Sequence, residues 1–346
     1  MKTYMGIVLI NNIRWASPRL FPRQIILLVI LSAVWPGPIF ATEAVEPSAD
    51  QSNDKAVGES AEQPPAPAEG KRGPVRSLVQ GATPEEHARL VEERKHLSAE
   101  AAAFGTDPTA LNGYFELTYG HNEYTNNLRL DTATAEARLP ITPNLIFRVT
   151  MPYAWADLNG PGGFTKNGLS DMTVRAGGRL YASNIVALFV GADATFPTAS
   201  EKQLGTGKYT LGPGGALAVP LARVRSLFFV VVQDFYSIGG DPSRADVHFI
   251  RVQPAVNTIW SERWWTIVSA TWNIDDRSTG RKSTLNLLGE IGHNFNQHWN
   301  VFAAAGAGVA GKDTPLGLDW VAQAGVRWMF PGTFISKTLF GGFKGD

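Results

Sequence analysis

The sequence contains no cysteine and carries no net charge, with 31 basic and 31 acidic residues. The lack of cysteine removes disulfides and thiolate metal ligands. The even charge balance removes the basic footprint that a nucleic-acid partner requires. Histidine is scarce. His87, His96, His121, His248, His293 and His298 are the only six, and none stands at a tight metal-ligand spacing. There is no GxSxG, no HExxH and no glycine-rich phosphate loop leading into a helix. Gly205, Gly207, Gly212, Gly214 and Gly215 fall in a loop and a strand, so they do not make a nucleotide site. No catalytic, cofactor-binding or metal residue is therefore assigned, and no cofactor is expected. Long apolar runs are also missing, and the mean hydropathy is slightly negative. That excludes a bundle of membrane helices but not a membrane barrel, in which only alternate residues meet lipid.

The first 41 residues read as a secretory signal peptide. Lys2, Arg14, Arg19 and Arg23 form a basic leader, and Ile25–Trp35 is an uncharged apolar run too short to span a membrane. Pro36, Gly37 and Pro38 break it, and the small Ala41 places cleavage nearby. Residues 42–83 are rich in Ala, Pro, Glu, Ser and Gly and read as a disordered linker. A helix is expected over 84–104. Thr83 is its N-cap, Pro84 takes the first position, Glu86 completes a capping box and Gly105 ends it. Its apolar residues, Leu90, Val91, Leu97 and Phe104, form a thin stripe. Two readings stay open: a solvated periplasmic helix, or a plug over a barrel mouth.

From Asn112 the pattern changes to period-two alternation. Twelve strands are predicted near 113–121, 128–141, 145–156, 169–182, 185–197, 209–221, 226–237, 246–259, 263–275, 283–295, 299–310 and 318–330. Most are longer than ten residues, which suits membrane strands of about nine to eleven better than soluble strands of about five or six. Tight turns at 143–144, 183–184, 222–225, 261–262 and 296–298 alternate with longer links at 157–168, 198–208, 238–245, 276–282 and 311–317. The fold class is thus all-β, a transmembrane antiparallel barrel of about 12 strands over 112–330, with a tail at 331–346. An even strand count puts both termini in the periplasm.

Tryptophan supports the topology. Trp260, Trp264, Trp265, Trp299 and Trp328 fall at the short-turn ends of strands, and Trp155, Trp272 and Trp320 toward the long-loop ends, as two aromatic girdles require. In the last strand Trp320, Ala322, Ala324, Val326, Trp328 and Phe330 share one face, suited to lipid. Phe330 resembles the terminal residue that outer-membrane assembly machinery reads, although residues 331–346 follow it. The stretch Leu227–Val232 is apolar on both faces and has no clear orientation.

Alternation then assigns a lumen. Glu116, Glu136, Arg138, Arg148, Asp171, Arg175, Arg179, Asp193, Arg251, Glu290 and Arg327 are expected inside, because charge at mid-membrane depth is costly on the lipid side. They form either a paired network filling a narrow barrel or the lining of a water-filled pore. A lipid-hydrolase rim would need a Ser beside a His. Ser170 or Ser269 with His293 is the nearest such combination.

Three stretches resemble the MetA-pathway phenol-degradation family of outer-membrane proteins. They are Leu139–Asn144 leading to Arg148, Pro152 and Tyr153; Gly168–Asp171 leading to Arg175; and Phe196–Thr198 with Leu204–Gly207 and Gly212–Gly214. The resemblance spans roughly 110–220, with Ser170 where glycine is usual. It implies an outer-membrane barrel that transports aromatic or hydrophobic compounds. In this frame Gly168 allows a sharp turn into a strand. Asp171 is expected to face inward beside Arg175 or another arginine, and Pro197 to end a strand at the outer rim.

The leading functional expectation is an outer-membrane channel passing small solutes by passive diffusion. The alternatives are a closed structural barrel or anchor with a partner-binding periplasmic arm, and a barrel lipid hydrolase. The implied partners are outer-membrane lipids, the assembly machinery and a small-molecule solute, with no nucleic acid.

Overall fold

The computed structural model describes residues 83–276, 282–312, 314 and 317–330. The expectations for the leader, for the linker up to residue 82 and for the tail at 331–346 lie outside the described residues. Helix α1 (Pro84–Ala103) opens on a capping box. The Thr83 hydroxyl accepts from the Glu86 amide at 3.2 Å, and the Glu86 carboxylate accepts from the Thr83 amide at 3.1 Å. The helix ends where Gly105 adopts φ +72° and its N–H turns back to the Ala102 carbonyl.

Thirteen strands follow: β1 (Gly113–Tyr124), β2 (Leu128–Thr142), β3 (Leu145–Leu158), β4 (Phe164–Leu169), β5 (Met172–Ala182), β6 (Ala187–Phe196), β7 (Lys208–Leu221), β8 (Ser226–Gly240), β9 (His248–Ile259), β10 (Trp264–Asp275), β11 (Ser283–Asn294), β12 (Trp299–Ala310) and β13 (Leu318–Phe330). Each pairs antiparallel with its neighbours, and β1 pairs with β13, which closes the sheet. β4 and β5 both lie along β3, so they are one staved position broken at Ser170–Asp171. The barrel therefore has twelve positions, and closure leaves no sheet edge to satisfy in lipid.

Two loops differ from expectation. The predicted link at 157–168 is mostly ladder, because β3 and β4 stay paired out to Leu158 and Phe164. The predicted strand at 169–182 begins earlier and is interrupted. Gly168 has φ +151°, and a Cβ there would sit 2.0 Å from the Ser200 hydroxyl. The loop 197–207 is thus folded down onto the break.

The two faces separate by parity. Phe115, Leu117, Val190, Val268, Leu287 and Ile291 are exposed and point outward, forming the apolar band of a membrane-spanning barrel. Trp155, Trp272 and Trp320 are exposed near one rim, and Trp260, Trp264 and Trp299 near the other. Trp265 departs from the girdle. It is fully buried, because its neighbour Trp264 takes the outward position and alternation turns Trp265 into the lumen.

Trp265 faces inward onto α1. Leu97 and Ala101 of the helix and its C-cap Phe104 pack with Leu227, Phe229, Ala255, Ile259, Trp265 and Phe302 in one apolar cluster at the short-turn end. This orients the ambiguous stretch of β8. Leu227, Phe229 and Val231 face the helix, and Phe228, Val230 and Val232 face outward. Both faces are apolar because each meets an apolar neighbour, one lipid and one protein. Arg225 ties the helix to the adjacent turn through Glu100 at 3.4 Å.

Candidate functional site

The site is the lumen, and it is assembled by register. Arg138 of β2 stands directly opposite Arg148 of β3, and Arg148 stands opposite Arg175 of β5. Three guanidiniums therefore form a row across three neighbouring strands. Like charges in such positions repel unless anions answer them. Arg175 is answered by Asp193 of β6, through bonds of 2.5 and 2.7 Å, and Asp193 also accepts from Gln233 at 2.9 Å. Arg148 lies 3.5 Å from Glu136, which accepts from Tyr114 at 2.7 Å and from Thr150 at 2.9 Å. Arg138 has no carboxylate within ion-pair distance among the described residues. Its guanidinium donates to the Ala110 carbonyl and lies 5.7 Å from the Tyr114 ring centroid.

The remaining inward charges are distributed around the wall. Arg327 pairs with Glu116 at 2.6 Å and stacks over Tyr114 and Phe302. Arg251 donates to Asn273 at 3.1 Å and lies over Phe235 and Phe249, 5.2 and 5.4 Å from their centroids. Glu290 accepts from Trp265 at 3.4 Å. Arg179 donates to the Thr109 carbonyl at 2.9 Å. Asp171 behaves differently from expectation. It does not pair with Arg175; it accepts from the Ala199 amide at 3.2 Å and from the Thr206 amide and hydroxyl at 2.6 and 2.8 Å. The break between β4 and β5 places it beside the loop 197–207, so it anchors that loop, and register is pinned instead by Arg175 with Asp193.

The segment between α1 and β1 has no strand or helix pattern, and it is what fills the lumen. Phe104, Thr106, Asp107, Thr109 and Ala110 are all buried. Phe104 stacks on Trp265 with centroids 5.3 Å apart. Asp107 closes a tight turn by accepting from the Thr109 amide and hydroxyl, each at 2.7 Å. The wall holds this strap through the Phe104 carbonyl and the Thr106 hydroxyl. Arg327 donates to the Phe104 carbonyl at 2.9 Å, Asn300 to the same carbonyl at 3.3 Å, and Asn257 to the Thr106 hydroxyl at 2.5 Å. Asn257 and Asn300 are fully buried, and the one trace of this in the sequence is a polar residue at the short-turn end of each strand.

Above the strap is a cavity of about 190 Å³. Its lining combines Arg138, Arg148, Arg175 and Arg327 with the apolar Pro108, Ile146, Phe189 and Ile267 and the acidic Glu290. A smaller void of about 20 Å³ shares Pro108, Arg175 and Phe189 with it. Among the described residues no group of three His, Asp or Glu side chains is placed to hold a metal ion.

No family model matches the sequence, and no curated protein matches it significantly. Solved structures do. The COG4313 outer membrane channel from Pseudomonas putida F1 aligns at TM-score 0.51 and 15% identity, over 63% of this chain and 95% of that one. The NanC porin (TM-score 0.46, 10% identity, 62% and 98% covered) and the KdgM porin (0.41, 9%, 62% and 99%) are looser likenesses of barrel form. The fold is an outer-membrane β-barrel.

The hydrolase combinations do not form. Ser269 faces the lumen opposite Leu288, whereas His293 faces outward against Trp264, with ring centroids 4.3 Å apart. The Ser170 hydroxyl donates to the Leu204 carbonyl at 2.5 Å.

Proposed function

We propose that the protein is an outer-membrane channel that passes small solutes by passive diffusion, with α1 and the strap on the periplasmic side. The observation that carries this reading is the cavity itself. The wall and strap leave about 190 Å³ open beside four arginines, whereas an interior wholly packed by side chains, as in small eight-stranded barrels, leaves no such space. The strap narrows the path, so the cargo is small. The resemblance to the phenol-degradation family extends the reading to aromatic or hydrophobic compounds.

A second reading has one observation in its favour. The backbone contacts from Arg327, Arg138 and Arg179 hold the strap inside the mouth, as a closed anchoring barrel would require. Liposome swelling separates the two. A channel admits small neutral and charged solutes at rates that fall steeply with solute size. A closed barrel leaves swelling at the level of protein-free liposomes for every solute.

A further inference from the structure

We infer that the cavity under the arginine row is a binding site for a small monocarboxylate with a compact apolar body. This rests on the channel reading and names the class of its cargo.

Four features lead there. The first is register. Arg138, Arg148 and Arg175 stand in line across β2, β3 and β5, and the carboxylates within ion-pair distance are Glu136 and Asp193. One guanidinium of the row is left without an acid partner. The second is unused donor capacity. The Nε atoms of Arg138 and Arg148 are buried and have no acceptor, and Arg138 as a whole is 6% exposed. A buried donor without a partner costs free energy that a carboxylate oxygen would recover. The third is the geometry of the donors. Guanidinium edges match the planar, two-oxygen acceptor of a carboxylate better than a spherical anion. The fourth is the apolar part of the lining. Ile146 on β3 and Phe189 on β6 flank the arginines, Ile267 on β10 lies across from them and Pro108 belongs to the strap; none offers a donor to a second charge, so the rest of the ligand is apolar. A cavity of about 190 Å³ has room for several waters, which fits a short branched or cyclic acid.

The acidic groups around the cavity do not cancel this. Glu116 is neutralised by Arg327. Asp107 keeps its charge, but its Oδ1 is turned into its own tight turn by the Thr109 amide and hydroxyl and makes no ion pair with Arg138. Glu290 lines the cavity and accepts only a long bond from Trp265 among the hydrogen bonds of the described residues. It lies across from the row and disfavours a dianion, which is why one carboxylate is assigned and not two.

The test is calorimetric titration of the full chain, purified in detergent, against empty micelles. The probes are cyclohexanecarboxylate, its neutral amide and acetate. The inference predicts that cyclohexanecarboxylate binds at least about tenfold more tightly than the amide, from its charge-assisted bonds, and more tightly than acetate, from its apolar body. Arg138→Gln weakens binding by about tenfold or more, and Arg251→Gln, which does not line the cavity, leaves it within about twofold. Heat-modifiable gel migration checks that each variant is folded. If Arg138→Gln does not fold, Arg138→Lys replaces it and weakens binding through loss of the planar donor edge. Equal binding of acid and amide, absence of binding, or equal losses in the Arg138 and Arg251 variants would overturn the assignment. A protein that conducts but does not bind the acid refutes this site and leaves the channel reading standing. One that binds the acid but never conducts keeps the site and removes the channel.

Discussion

Asp193 answers Arg175 across the β5–β6 ladder with both oxygens, at 2.5 and 2.7 Å. This is the tightest ion pair in the arginine row and the one that keeps three adjacent guanidiniums compatible. Asp193→Asn removes the charge and keeps the shape. Removing one partner of a buried pair costs roughly 3–5 kcal/mol, read as a lower urea midpoint in lipid vesicles. The same variant shifts the reversal potential toward anion selectivity, since the lumen gains one positive charge.

Phe104 and Trp265 form the latch of the strap. Phe104→Ala removes the stacked ring and the apolar contacts of the cluster at the mouth, a change worth roughly 3–5 kcal/mol at a fully packed site. The loss falls on docking of the strap and not on the barrel ladder. The expected outcome is faster amide exchange and protease cleavage around 104–110, larger conductance, and unchanged heat-modifiable migration.

Gly292 lies beneath the same indole. A Cβ added there would be 1.9 Å from the Trp265 ring, and Trp265 would have to move. Gly292→Ala is therefore expected to loosen the strap in the exchange experiment, as Phe104→Ala does, by displacing the ring on which Phe104 stacks. A strap protected as in the unaltered protein would contradict the latch.

The lipid face is tested at Val268, an exposed outward residue near the middle of β10. Val268→Arg should destabilise the barrel by about 2–4 kcal/mol in vesicles. The same change at the inward Thr118, beside Glu116, should cost much less, because the new charge meets a carboxylate. Equal costs would contradict the assignment of faces.

Asp241 lies in the loop after β8. Hydrogen bonds from the Ser243 hydroxyl and amide hold its carboxyl below the usual carboxylate range. A depressed acid stabilises its turn above its ordinary pKa and loses that contribution as pH falls through the depressed one. An NMR titration should place the Asp241 midpoint below that of a free aspartate, and Ser243→Ala should raise it.

Much of the barrel was legible because its physics is periodic. Alternation, strand length and turn residues are local signals, and they gave twelve positions and the facing of β1, β3 and β13. The link at 157–168 was misread locally, because its Gly, Asp and Lys content hid a hairpin ladder; the other misreadings share one cause, a partner distant in sequence. Leu227–Val232 could not be oriented because the inward partner is α1, more than a hundred residues away. Trp265 was placed in a girdle because a belt and a lumen-filling ring both want tryptophan near a strand end. Asp171 was assigned to an arginine because nothing local shows that the loop 197–207 folds back over the break at Ser170. The strap itself has no period at all. Its position depends on Asn257, Asn300, Arg138, Arg179 and Arg327, five wall residues whose common target shows only once the strands are closed.

The most direct test of the account is single-channel recording in a planar bilayer, comparing the unaltered protein with Phe104→Ala. The account predicts reproducible stepwise openings for the unaltered chain and larger steps once the strap is loosened. Silence from both proteins, with both barrels shown to be folded, would contradict it and leave a closed structural barrel.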